Sequence, residues 1–255
     1  MKKNTLLAWG CGLLAACALP FSGRAVVIYD YNSSASASGF ILNSAPTDVG
    51  DVGTLQTLSP GQFYQVTSIV VARVNGTTAG SFDIGFFLWG NVDTANGTSI
   101  FSNLLTSTSF NRTTTGTQSA ITTTITVTPG ALNLASGLTF GYQMEYAAPG
   151  TINLATAAYT PTTTGSTAFL INQGSSPNSG TSPDTIYVDS NTDGKFTSAD
   201  QTALSGTGTA GFSNVYLVIN ANIVPEPGTN LALAVGGLVL LGGWQARRRR
   251  ARAQS

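Results

Sequence analysis

The sequence predicts an all-β body, an antiparallel β-sandwich of jelly-roll-like type with Greek-key connections, and one C-terminal transmembrane helix. Three observations carry the sandwich. Short runs rich in β-branched and aromatic residues recur between Gly, Asn, Asp and Pro turn signals. Within Ile121–Thr128, positions 121, 123, 125 and 127 alternate with four threonines, and only Thr123 breaks the apolar side of that period of two. No stretch of 12 residues between 26 and 223 carries helical periodicity.

The chain opens on a different pattern. Met1-Lys2-Lys3 is positively charged, Leu6–Leu19 is apolar, and Gly23-Arg24-Ala25 puts small residues at −3 and −1 of a cleavage site. Residues 1–25 therefore read as a secretory signal peptide, with the mature chain starting at Val26. Leu14-Ala15-Ala16-Cys17 resembles a lipoprotein lipobox, an alternative in which Cys17 is acylated. Cleavage after Ala25 is preferred, because an anchor at the other end makes a lipid redundant.

In the body, residues 26–223, the predicted strands are Val66–Val74, Ser81–Trp89, Ile121–Thr128, Leu138–Tyr146, Ala168–Ile171, Ile186–Asp189 and Asn214–Val224. Asn75-Gly76 predicts a hairpin-type connection between the first two. Charged residues make up 9% of the chain, against roughly 25% in typical soluble proteins. They are also unevenly placed. Eight of the 11 basic residues lie at the two ends, and residues 26–229 hold three basic against eleven acidic groups, a net charge of −8. An acidic body argues against nucleic acid as a partner, since phosphate binding needs a basic face. There is no histidine, and both cysteines fall in the signal segment. The body thus lacks the commonest general base, the commonest zinc ligand and any disulfide.

One stretch has the composition of a cation loop: Asp189-Ser190-Asn191-Thr192-Asp193-Gly194-Lys195-Phe196-Thr197-Ser198-Ala199-Asp200. Oxygen side chains stand at positions 1, 3 and 5, glycine at 6, an apolar residue at 8 and a carboxylate at 12. Calcium takes six to eight oxygens at about 2.3–2.6 Å, and a tight loop supplies them in this spacing. The expected ligands are Asp189, Asn191, Asp193, the Lys195 carbonyl, Thr197 and Asp200, with Phe196 tucked into the core and a helix over Ser198–Leu204. The loop resembles those of EF-hands and, through Asp at its end, of dockerin modules. The likeness covers about 16 residues and no second loop exists, so cohesin binding is not implied. Calcium, in a structural role, is the expected cofactor.

The C-terminus is tripartite. Val224-Pro225-Glu226-Pro227-Gly228-Thr229 precedes an apolar span that includes Leu231, Leu233, Val235, Leu238, Leu240, Leu241 and Trp244. Arg247, Arg248, Arg249 and Arg250 close it. The 18 residues Thr229–Ala246 reach about 27 Å as a helix, just enough to span a bilayer core. The arginines place the end inside, and Trp244 stands where an interfacial aromatic belongs. A Pro-Glu-Pro triplet, one span and a terminal arginine cluster resemble the PEP-CTERM sorting signal over residues 224–255. The resemblance implies Pro225, Glu226 and Pro227 as the recognised motif and an exosortase as partner. It further implies a Gram-negative host that secretes exopolysaccharide and forms biofilm. The protein should then pass through an inner-membrane-anchored intermediate to the cell surface or the extracellular space.

Three function classes follow. The first is a non-enzymatic surface or matrix protein stiffened by calcium. The second is a carbohydrate-binding module engaging exopolysaccharide, for which Phe87, Trp89, Tyr142 and Tyr146 are the candidate aromatic platform. The third is a hydrolase, disfavoured because Glu145 is the only glutamate before the tail and the sequence assigns it no carboxylate partner. The expectation is a protein that is not an enzyme.

Overall fold

A computed structural model describes residues 25–30, 48–75, 79–114, 119–160, 167–169, 171–173, 179–183, 185–189, 195–202 and 213–226. Beyond these it describes only positions 236, 237, 239, 242 and 244 of the C-terminal segment. Fourteen strands make up the described body. The first half holds β1 (Ala25–Asp30), β2 (Asp48–Thr54), β3 (Gln62–Asn75), β4 (Gly80–Val92), β5 (Phe101–Thr114), β6 (Ser119–Thr126) and β7 (Asn133–Ala135). The second holds β8 (Thr139–Ala147), β9 (Thr167–Phe169), β10 (Ile171–Gln173), β11 (Ile186–Val188), β12 (Gln201–Thr202), β13 (Ser213–Val215) and β14 (Leu217–Pro225).

All the strand pairs are antiparallel; twelve strands form two six-stranded sheets, and β10 and β13 form a separate two-stranded one. Of the six-stranded sheets, one runs β1-β14-β3-β6, with β7 and β9 also on β3, and the other runs β12-β11-β2-β8-β4-β5. The chain crosses repeatedly between them, which is how a single core closes. Ile69, Val71 and Ile219 from the first sheet meet Ile84, Phe86, Leu88 and Met144 from the second in one buried cluster. This is the predicted all-β sandwich, and β6 keeps its predicted two-sidedness: Ile121, Thr123 and Ile125 are half-buried while Thr122, Thr124 and Thr126 are exposed.

Two local expectations are corrected. The strands on either side of Asn75-Gly76 do not pair as a hairpin. β3 pairs with β14, β6, β7 and β9, whereas β4 pairs with β5 and β8, so the connection crosses from one sheet to the other. Nor does a helix fill Ser198–Leu204. A single 3₁₀ turn, Ser198–Asp200, ends as Gln201–Thr202 pair with β11. Strand pairing satisfies those backbone groups better than a short exposed helix would.

The ends of the body meet the segments flanking it. β1 begins at Ala25, beside Asn222 of β14, so cleavage after Ala25 removes one strand residue. The signal segment 1–24 lies outside the described residues. Within the span, Gly236, Gly237, Val239, Gly242 and Trp244 are helical, and Val239 and Trp244 are exposed. Among the described residues no helix is long and apolar enough to cross a membrane. Leu231, Leu233, Val235, Leu238, Leu240, Leu241 and Arg247–Arg250 lie outside them.

Candidate functional site

The strand that closes the first sheet carries the start of the sorting motif. β14 reaches Pro225, which faces Gln62 at the start of β3. Proline donates no amide to the ladder, so it fits at a strand's end. The Glu226 amide then donates to the Gly61 carbonyl at 2.8 Å. Leu58–Phe63, Asn133–Ser136 and Glu226 line an open groove of about 520 Å³. Two motif residues are thus seated on the body; Pro227 lies outside the described residues.

Of the predicted cation loop the structure describes Asp189 and residues 195–200, which pack on the outer face of the second sheet. Phe196 is buried as expected, against Phe101 at a ring distance of 5.5 Å, in a cluster with Val52, Ile100 and Tyr187. Gly141 makes room for that cluster: a Cβ there would stand 2.4 Å from the Phe101 ring. Two backbone bonds clamp the segment, Ile100 N to Phe196 O at 2.7 Å and Ser198 N to Asn96 O at 3.1 Å. Thr197 and Asp200, expected as ligands, bond to each other. The Thr197 amide and hydroxyl both donate to Asp200 Oδ2 at 2.8 Å, and the Thr197 hydroxyl oxygen accepts from the Ala199 amide at 3.2 Å, in a capping box around the 3₁₀ turn. Lys195 is exposed, and Asn191 and Asp193 lie outside the described residues. Asp189 is fully buried at the end of β11.

What sequence reading missed is the company Asp189 keeps. Asp48 of β2 stands directly opposite Glu145 of β8. On the other side of β2, Val188 pairs with Val49, so the next residue along, Asp189, comes beside Asp48. Asp48, Glu145 and Asp189 thus form a row across three neighbouring strands, and all three are 0% exposed. Gln143 ties two of them together: its Nε2 donates to Asp48 Oδ2 and to Glu145 Oε1, each at 2.9 Å. Its own Oε1 accepts from Trp89 Nε1 at 3.2 Å, which fixes the amide's orientation. Burial, then the charges of Glu145 and Asp189, push the Asp48 carboxyl well above the usual carboxylate range. Burial, then Asp189, pushes Glu145 up to about 9. Among the described residues no three acidic side chains already stand in a metal-holding arrangement.

These shifts fix a pH dependence. A carboxyl whose folded-state pKa is raised binds more protons in the native than in the unfolded state, so stability falls as pH rises between the two values. In chelator, thermal melts should therefore drop progressively from about pH 4.3, the unfolded value for Glu, toward pH 9. A melting temperature that rises across that window would show the row to be ionised and compensated within the protein.

The candidate aromatic platform is not assembled. Phe87 and Trp89 lie on the outer face of the second sheet, whereas Tyr142 and Tyr146 lie in the core between the sheets. Phe87, Tyr142 and Tyr146 are at most 2% exposed, which leaves no ladder of rings for a sugar. Glu145 does gain carboxylate neighbours, but no face of it meets solvent.

A family model described as the PEP-CTERM protein-sorting motif matches residues 224–250. It covers the seated Pro225-Glu226, the apolar span and Arg247–Arg250, and it supports exosortase-dependent sorting of an exported protein through a membrane-anchored intermediate. No curated protein matches the chain. Among solved structures, "The 2.6A structure of Infectious Bursal Virus Derived T=1 Particles" is similar at 11% identity and a TM-score of 0.20. That alignment covers 89% of this chain and 48% of the other, so the chain spans about half its length. A superposition at that level bears on neither fold nor function.

Proposed function

We propose that the chain is an exported, non-enzymatic surface or extracellular-matrix protein. In this reading its β-sandwich body is delivered through the Pro225-Glu226-Pro227 motif and stiffened by a calcium ion bound at Asp189. The observation that carries the reading is the sorting-motif match over residues 224–250. A body with no histidine, and whose one glutamate before the tail is sealed from solvent, supports a structural role over acid–base catalysis. Release beyond the membrane would set this acidic body among secreted polysaccharide, its expected surroundings in a biofilm. The test is to express the chain in a Gram-negative host carrying an exosortase and to recover it from the extracellular and surface fractions. Mass spectrometry should give an N-terminus at Val26. A chain starting at Met1 in the cytoplasm would overturn export, and a diacylated start at Cys17 would replace the sorting route by a lipid anchor.

A further inference from the structure

Like charges placed directly across a strand pair repel, and a row of three buried carboxylates has no stable metal-free form with all three ionised. The side chains around the row ease this only in part. Gln143 gives one N–H each to Asp48 and Glu145, and this leaves Asp48 Oδ1 and Glu145 Oε2 buried with no hydrogen-bond partner. A buried acceptor left without a donor is costly, more so when charged, and such orphans in a folded protein call for an ion or water. The row also continues onto β4 at a position with no side chain. Gly85 pairs with Glu145, and a Cβ there would stand 3.1 Å from Glu145 Oε2.

We infer that Asp48, Glu145 and Asp189 form a divalent-cation site, with calcium the favoured ion. The site is built from three strands of the second sheet and does not consist of the 189–200 loop alone. The donors on the page are carboxylate oxygens, and the mature chain offers no imidazole or thiolate. This set suits hard cations, and carboxylates that bind through one or both oxygens suit the flexible coordination of calcium. Asp48 Oδ1 and Glu145 Oε2, which have no donor, are the oxygens open to an ion, while Gln143 holds the other oxygen of each. A cation so placed ties β8, β2 and β11 together, which a loop ion cannot do. The inference rests on the calcium part of the proposed function and deepens it.

The test is a set of thermal melts of the full chain near neutral pH, in chelator and in about 1 mM calcium, with bound calcium counted in the native protein. Wild type should melt higher with calcium and hold the ion. Asp48→Asn and Glu145→Gln should each melt higher than wild type in chelator, because a neutral amide replaces a buried carboxyl set beside other acids. Each should also bind calcium at least about tenfold more weakly, because ligand charge sets affinity. This crossing of signs is not expected of residues that only pack. If both variants keep the full calcium shift while Asp193→Ala loses it, the loop alone binds the ion. That result would overturn the inference and leave the calcium reading standing. Absence of any calcium shift or bound ion in wild type would overturn both.

Discussion

Asp51→Ala is expected to destabilise the body by roughly 2–6 kcal/mol, the largest loss from any single body substitution considered. Asp51 is fully buried on the inner face of β2, and its carboxylate satisfies donors from two sheets. Oδ1 accepts from the Val52 amide at 2.6 Å. Oδ2 accepts from the Val215 amide at 2.9 Å and from the Tyr142 hydroxyl at 2.7 Å. The hydroxyl has a second acceptor in the Val215 carbonyl, 2.8 Å away, so its proton is not stranded when Asp51 goes. The two amides have no such recourse through Asp51, and each orphaned buried donor costs about 1–3 kcal/mol. Urea unfolding of the full chain should show a lower midpoint at unchanged slope. A loss under about 1 kcal/mol would mean that water replaces the carboxylate.

Asp48 lies three residues earlier on the same strand and points to the opposite face, where the expected sign in chelator is reversed. Asp51 meets N–H and O–H donors; Asp48 meets Gln143 and two other acids. One residue type on one strand thus stabilises or strains the body according to the face it occupies.

That contrast also marks how far the sequence could be read. Val66–Val74 and Ser81–Trp89 were legible as strands because β-branched and aromatic residues dominate them, and both lie inside β3 and β4. Phe196 was legible as buried from its apolar position in a polar loop. The strand β2, Asp-Val-Gly-Asp-Val-Gly-Thr, carries residues depleted in strands, and its glycines lie against rings rather than carrying side chains of their own. No local pattern announces it, yet it supplies Asp48 and Asp51. β5 hides for another reason: it lies at the sheet's edge, half-buried and rich in Ser, Thr and Asn. The turn after Asn75 was misread because a turn signature reports local geometry, not the sheet to which the next strand belongs. The row of acids was illegible because Gln143 and Asp48 are 95 residues apart, and pairing at that distance is set by the packing of both sheets.

The claim on which the account turns is that Pro225-Glu226-Pro227 delivers the body. It is tested most directly by the intact mass of the chain after expression beside an exosortase. Pro225 ends β14 and the Glu226 amide holds Gly61. Alanines at all three positions keep the backbone amide at 226 and leave the span and arginines unaltered, so the body should fold and the anchor insert. Wild type should appear as a shortened chain lacking the span, recovered outside the membrane. The triple-alanine chain should remain full-length and membrane-bound, a complete loss of maturation at unchanged melting temperature. Processing and release of the triple-alanine chain to the same mass as wild type would contradict the account.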